Sequence, residues 1–170
     1  LTIIGIEPFA DAMTTAQENI KRVSKNATFT VDLVTKVAFI EQFSLDDLQE
    51  LLPVNHDGVY VNASFALHHI QQKLQRKTVF EMLKALKVKA FVLSEPNSDH
   101  YDPVYPKRFQ NCVHHYGTLF QIIDTLPIIT TEKAALKLFF SREIDDVLGN
   151  SESVRVEKHY ATEQWIELFT

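Results

Sequence analysis

Val59-Tyr60-Val61-Asn62-Ala63-Ser64-Phe65-Ala66-Leu67-His68-His69-Ile70 is the stretch that decides the fold. Its first five residues are rich in β-branched and aromatic side chains, the composition of a buried strand. Asn62 and Ser64 carry polar groups to the end of that strand, and Leu67 and Ile70 restart the apolar pattern at helical spacing. A strand that feeds directly into a helix is the unit from which parallel sheets are built.

Outward from this stretch the same alternation recurs. Residues 2–6 form an apolar run of strand length, and Pro8 suits the first turn of a helix over about residues 8–24, with Met13, Ala16, Ile20 and Val23 on one face. Residues 28–34 alternate as a second strand. Ser44 with Asp47 resembles a capping box and opens a short helix through Leu52. After the third strand, a helical stretch covers about residues 66–86, and a second box, Thr78 with Glu81, allows it to break in two. Residues 89–94 read as a fourth strand, followed by a polar loop over 95–106. Phe109, Val113, Tyr116, Phe120 and Ile123 then make a helical stripe. Ala135, Leu138, Phe139 and Val147 make another, with Gly149 as its expected C-terminal cap. Residues 154–158 suggest a short fifth strand, and Trp165 a last helix. The class is α/β, a Rossmann-like parallel sheet with flanking helices in one domain spanning 1–170.

Composition excludes several function classes. With 45% hydrophobic and 23% charged residues, the 170-residue chain has enough apolar material to fold. Its charge of 17 − 22 = −5 disfavours direct nucleic-acid binding. The one cysteine, Cys112, forms no internal disulfide, which fits a reducing, cytoplasmic setting. No apolar run approaches the roughly 20 residues of a membrane helix. The chain opens on a strand, without Met or a signal peptide, so a longer protein with an upstream part is expected.

Parallel sheets bind ligands beyond the carboxyl ends of their strands. Glu7 therefore stands where a carboxylate would meet ribose hydroxyls, although a helix N-terminal acid is the plainer role. Asn62 and Ser64 face the expected crevice. His68 and His69 lie about 100° apart on a helix, so they do not share one ligand. His68, His69, His114 and His115 are adjacent pairs rather than i,i+4 pairs, and no metal is expected. Glu95 and His100, after the fourth strand, are both candidate bases. A phosphate-binding glycine loop and a G-x-S-x-G elbow are both absent from the sequence.

The order of segments resembles the GRAS family, whose fold is similar to that of class I S-adenosylmethionine methyltransferases. The resemblance is carried by LTIIGIEP (1–8), FTVDLVTKVAFIEQFSLDDL (29–48), VYVNASFALHHI (59–70), VKAFVLSEPNSDH (88–100), PKRFQNCVHHYGTLFQIIDTL (106–126) and SREIDDVLGNSESVRVEKHYATEQW (141–165). It implies a chain lacking the methyltransferase fold's first strand and closing hairpin, with its strands in two pairs. Asp99-His100 and the run 149–153 depart from plant members and lean towards a bacterial branch of small-molecule methyltransferases. On that reading Glu7, Asn62 and Ser64 would bind S-adenosylmethionine. His68, Asn97 and Tyr116 would meet a small-molecule methyl acceptor, with Glu95 or His100 catalytic; a homo-oligomer is possible. The alternative is a non-catalytic GRAS scaffold or transcription regulator acting through protein partners.

Overall fold

A computed structural model describes all residues 1–170. The chain divides into two units, Leu1–Val61 with Lys77–Ala90, and Asn62–Arg76 with Phe91–Thr170.

The first unit begins with β1 (Thr2–Glu7), α1 (Ala10–Ser24) and β2 (Asp32–Val37), the two strands pairing parallel from Thr2↔Asp32 to Glu7↔Val37. Met13, buried in α1, lies over this pair: a methyl group on Gly5 would meet its Sδ at 3.6 Å. Gln17 Nε2 donates to Thr35 Oγ1 at 3.0 Å from the same helix. β2 starts four residues later than the alternating pattern suggests, because β1 sets the register. Alternation marks which side chains suit a sheet, not where the partner begins. After a short 3-10 turn at Ile40–Gln42 comes α2 (Leu45–Leu51). Its start is the expected capping box. Ser44 Oγ accepts from the Asp47 N–H at 3.2 Å, and Asp47 Oδ2 accepts from the Ser44 N–H at 2.8 Å.

The boundaries between the units fall inside β3 (Tyr60–Ser64), α3 (Lys73–Ala85) and β4 (Ala90–Ser94). β3 and β4 form a second two-stranded sheet, so the strands do occur as two separate pairs. The stretch 66–86 breaks, but not at Thr78, which lies within continuous helix. A 3-10 turn, Leu67–His69, precedes α3, and Ile70 between them is extended.

The second unit is carried by α4 (Tyr105–Thr125), α5 (Thr130–Gly149) and α6 (Thr162–Phe169). Pro106 in the first turn of α4 sits where no N–H is missed. Cys112, Tyr116 and Val147 form the core between α4 and α5, with Leu119, Phe140, Ile144 and Leu148 packed around them. Burial pushes the Cys112 thiol up to about 11, so it behaves as an apolar side chain. Gly149 ends α5 without a positive φ, so the left-handed cap expected there is not used. The fifth strand also does not form. The N–H groups of Val156 and Glu157 instead donate to Asp146 Oδ2 at 2.8 and 2.7 Å, a carboxylate from α5 taking the place of a strand partner. No helix is long and apolar enough to cross a membrane.

Candidate functional site

The turn after β3 builds the site. Phe65 adopts φ 52°, a left-handed conformation that a bulky aromatic seldom takes, and its N–H donates to the Ser94 carbonyl at 2.8 Å. The N–H groups of Ala66 and Leu67 follow, and both donate to Glu95 Oε1, at 3.0 and 2.7 Å. Successive amides converging on one carboxylate oxygen form an anion-holding nest. The other oxygen, Glu95 Oε2, meets His68 Nδ1 at 2.5 Å. Both Glu95 oxygens are thus engaged, and the side chain is 2% exposed. Burial would raise its pKa, but the His68 bond and the two amides win and hold it below the usual value.

His68 links this nest to residues far along the chain. Its Nε2 lies 3.2 Å from Glu157 Oε2, and His159 Nε2 is 3.2 Å from the same oxygen. His69 Nε2 stands 3.4 Å from the second oxygen, Glu157 Oε1. Burial disfavours the charged His68 ring, yet its bonds to Glu157 and Glu95 push it up to about 9. Glu157 is held far below the carboxylate range by the three surrounding histidines, against its burial.

His100 is fully buried. Its Nδ1 meets His159 Nδ1 at 2.8 Å and its Nε2 meets Ser98 Oγ at 2.9 Å. Burial, then the neighbouring His159 and His115, hold its pKa down to about 3, so it is neutral at ordinary pH. Tyr116 stacks on it at 5.6 Å and donates its Oη to Glu143 Oε2 at 2.9 Å, a core position rather than a pocket wall. Burial, then His159 and His114, bring His115 down to about 4. Below an unfolded value near 6.5, the unfolded chain takes up a proton that the folded ring refuses. The stability present above that pH is therefore lost as the pH falls towards 4, at no more than about 1.4 kcal/mol per pH unit. His115→Gln is expected to flatten this acid limb, read as urea midpoints at pH 7 and 5; an unchanged limb would assign the sensitivity elsewhere.

Three buried cations tie the same segments together. Arg76, fully buried, donates Nε to the Ile70 carbonyl at 2.9 Å and Nη2 to those of His68 and Lys158 at 2.5 and 2.7 Å. Its guanidinium lies 4.3 Å from the Tyr160 ring centre and 5.4 Å from that of Trp165. Arg155 donates to the His100 carbonyl, and Arg155 and Lys158 share Glu152 at 2.5 and 2.9 Å.

The remaining expected residues have other partners. Glu7 belongs to the first unit, where its Oε1 accepts from the Phe9 N–H at 3.0 Å, the local role of an acid before a helix. Asn62 and Ser64 are exposed on one face of β3, 3.4 Å apart. Asn97 Oδ1 accepts from the Thr162 N–H at 2.9 Å, at the start of α6. His68 and Glu95 bond to each other and Tyr116 stacks on His100, while their other side-chain partners are Glu157, His159, Ser98 and Glu143. Sequence reading missed Arg76, Asp146, Arg155, Glu157 and His159. Two signals were available. Arg76 shares helical spacing with Val79, Phe80 and Leu83, an apolar stripe, and Arg155, Glu157 and His159 alternate along one extended segment.

The whole chain, residues 1–170, matches the GRAS domain family. It is 30% identical over 132 residues to the GRAS family protein RAD1 of Lotus japonicus, covering 74% of this chain and 26% of that protein. Against the DELLA protein RGA2 of Brassica campestris the figures are 30% over 131 residues, 74% and 22%. The chain therefore spans about a quarter of the length of these curated relatives. A solved structure, that of SCL7 in Oryza sativa, superposes with a TM-score of 0.83 over 99% of this chain and 49% of that one, at 18% identity. These relatives are plant regulatory proteins, and they overturn the expected bacterial methyltransferase; of that description only the GRAS domain stands. The departures read as bacterial lie where side chains serve the fold. Asp99 Oδ1 accepts from the Tyr101 N–H at 3.1 Å, and Asp99 Oδ2 accepts from Gln164 Nε2 at 3.2 Å.

Proposed function

From the premise that the chain belongs to the GRAS domain family, we propose that it is a non-catalytic regulatory domain that acts by binding other proteins. The observation that carries this reading is the occupancy of Glu95. Its two oxygens already hold two backbone amides and an imidazole, and the side chain is 2% exposed, so the carboxylate is not open to a substrate proton. His100, buried and bonded through both ring nitrogens, supports it in the same way. The plant relatives point in the same direction.

Apolar side chains left on the surface supply material for such contacts. Leu138 and Phe139 on α5 are 63% and 59% exposed, and Val113 on α4 is 55% exposed. Two measurements on the full-length protein test the reading. Calorimetric titration with S-adenosylmethionine is expected to give no heat of binding. The double variant Leu138→Glu, Phe139→Glu is expected to keep the wild-type melting temperature while losing partners captured by the wild type. Saturable binding of S-adenosylmethionine would overturn the non-catalytic reading, and an unchanged partner set would remove this face from it.

A further inference from the structure

We propose that His68 Nε2, His159 Nε2 and the Glu157 carboxylate bind one divalent transition-metal ion of the zinc class. These three ligand atoms all lie within 4.8 Å of one another. Glu157 Oε2 is 3.2 Å from each of the two ring nitrogens. Ligand atoms about 2.0–2.1 Å from a tetrahedral ion stand roughly 3.3 Å apart, so both oxygen–nitrogen spacings match, and the two ring nitrogens, within 4.8 Å of each other, have at most a short distance to close around an ion. Two imidazoles and one carboxylate are borderline donors that suit zinc rather than calcium or magnesium, which take oxygen ligands.

The surroundings match what metal-binding histidines require. A ligating imidazole presents one nitrogen to the ion and donates the other N–H to an acceptor. His68 Nδ1 has such an acceptor in Glu95 Oε2 at 2.5 Å. His159 Nδ1 has one in His100 Nδ1 at 2.8 Å, and His100 in turn passes its Nε2–H to Ser98 Oγ at 2.9 Å. An ion entering the site displaces the Nε2 protons that face Glu157, and the outer bonds at Nδ1 then leave each Nε2 as a lone pair for the ion. His69, against Glu157 Oε1 at 3.4 Å, steadies the carboxylate from its other side. Charge balances as well: Glu95 and Glu157 offset a divalent ion between them. A concavity of about 360 Å³, lined by Phe139, Arg142, Glu143, Asp146, Val156 and Glu157, reaches the site and offers an entry path.

The ion would act as a staple. It joins the turn Leu67–His69 to a segment 89 positions further on (157 − 68) that forms no strand or helix. Clips that close long loops stabilise folded chains, and metal binding of this kind is coupled to folding. The adjacent-pair spacing of the histidines does not register this site, because its ligands come together only through the fold.

The test is titration of the full chain, freed of metal by a chelator, with zinc chloride and with cobalt chloride. One ion per chain is expected, with submicromolar zinc affinity, a raised melting temperature, and visible cobalt absorption of the low-coordinate type. His159→Gln and Glu157→Gln are expected to weaken binding roughly a hundredfold, and Glu95→Gln, in the outer shell, by roughly 10–100-fold. His114→Gln should leave affinity unchanged. Should His159→Gln fail to fold, ring nitrogen shifts of the wild type decide: zinc must move Nε2 of both His68 and His159. Absence of stoichiometric binding to the wild type, unmoved ring shifts, or full affinity in His159→Gln would overturn the proposal.

Discussion

Arg76→Met is expected to lower the stability of this chain by roughly 3 kcal/mol or more. Methionine fills similar space and keeps the apolar contacts of the stem, so packing alone would predict little change. What it removes is a donor set. The carbonyls of Ile70, His68 and Lys158 all accept from this one guanidinium, and each buried acceptor left alone costs about 1–3 kcal/mol. Carbonyl oxygens and the faces of Tyr160, Tyr101 and Trp165 hold the charge. Burial lowers the Arg76 pKa, so these bonds return only part of the solvation that the group loses. Arg76→Lys should rescue only part of the loss, because an ammonium cannot reproduce the planar fork. Trp165, the single tryptophan, lies beside the guanidinium and reports urea unfolding by fluorescence. An unchanged midpoint in Arg76→Met would show that water or local movement replaces the lost donors.

Glu95→Ala is expected to be at least as severe, about 3–5 kcal/mol, the range for removing one partner of a buried ion pair. It strips the Ala66 and Leu67 amides of their acceptor and leaves His68 without its Nδ1 partner. The left-handed Phe65 that aims those amides would then hold its strain without return. Glu95→Gln separates two contributions. Its carbonyl oxygen still accepts from both amides, while the charge opposite His68 is gone. The expected loss is about 1.5–3 kcal/mol, that of a hydrogen bond to a charged group. Equal midpoints for the Ala and Gln variants would place the whole effect in the charge; a neutral Ala variant would remove the nest from the accounting altogether.

Local signals in the sequence survived into the structure wherever one short segment supplies both the cause and the effect. Ser44 and Asp47 are three residues apart and cap α2 as their spacing suggests. Met13 on the apolar face of α1 is buried, and the stripe from Phe109 to Ile123 lies within α4, with Tyr116 in its core. The signals that failed depend on a distant partner. Residues 154–158 have strand composition, but Asp146 takes the N–H groups of Val156 and Glu157. Thr78 and Glu81 have the spacing of a cap, yet α3 starts earlier, at Lys73, after the extended Ile70 whose carbonyl Arg76 holds.

By itself, then, the order of apolar and polar residues determined that this chain alternates strands with helices, and it placed Glu95 and His68 at the ends of strand units. Hydrophobic periodicity and capping act over a few residues, so they are written locally. Only the tertiary structure decided what those polar residues do. A buried charge must find its counter-charges and hydrogen bonds wherever the fold brings them, and here Glu157 and His159 reach His68 across some ninety residues of chain.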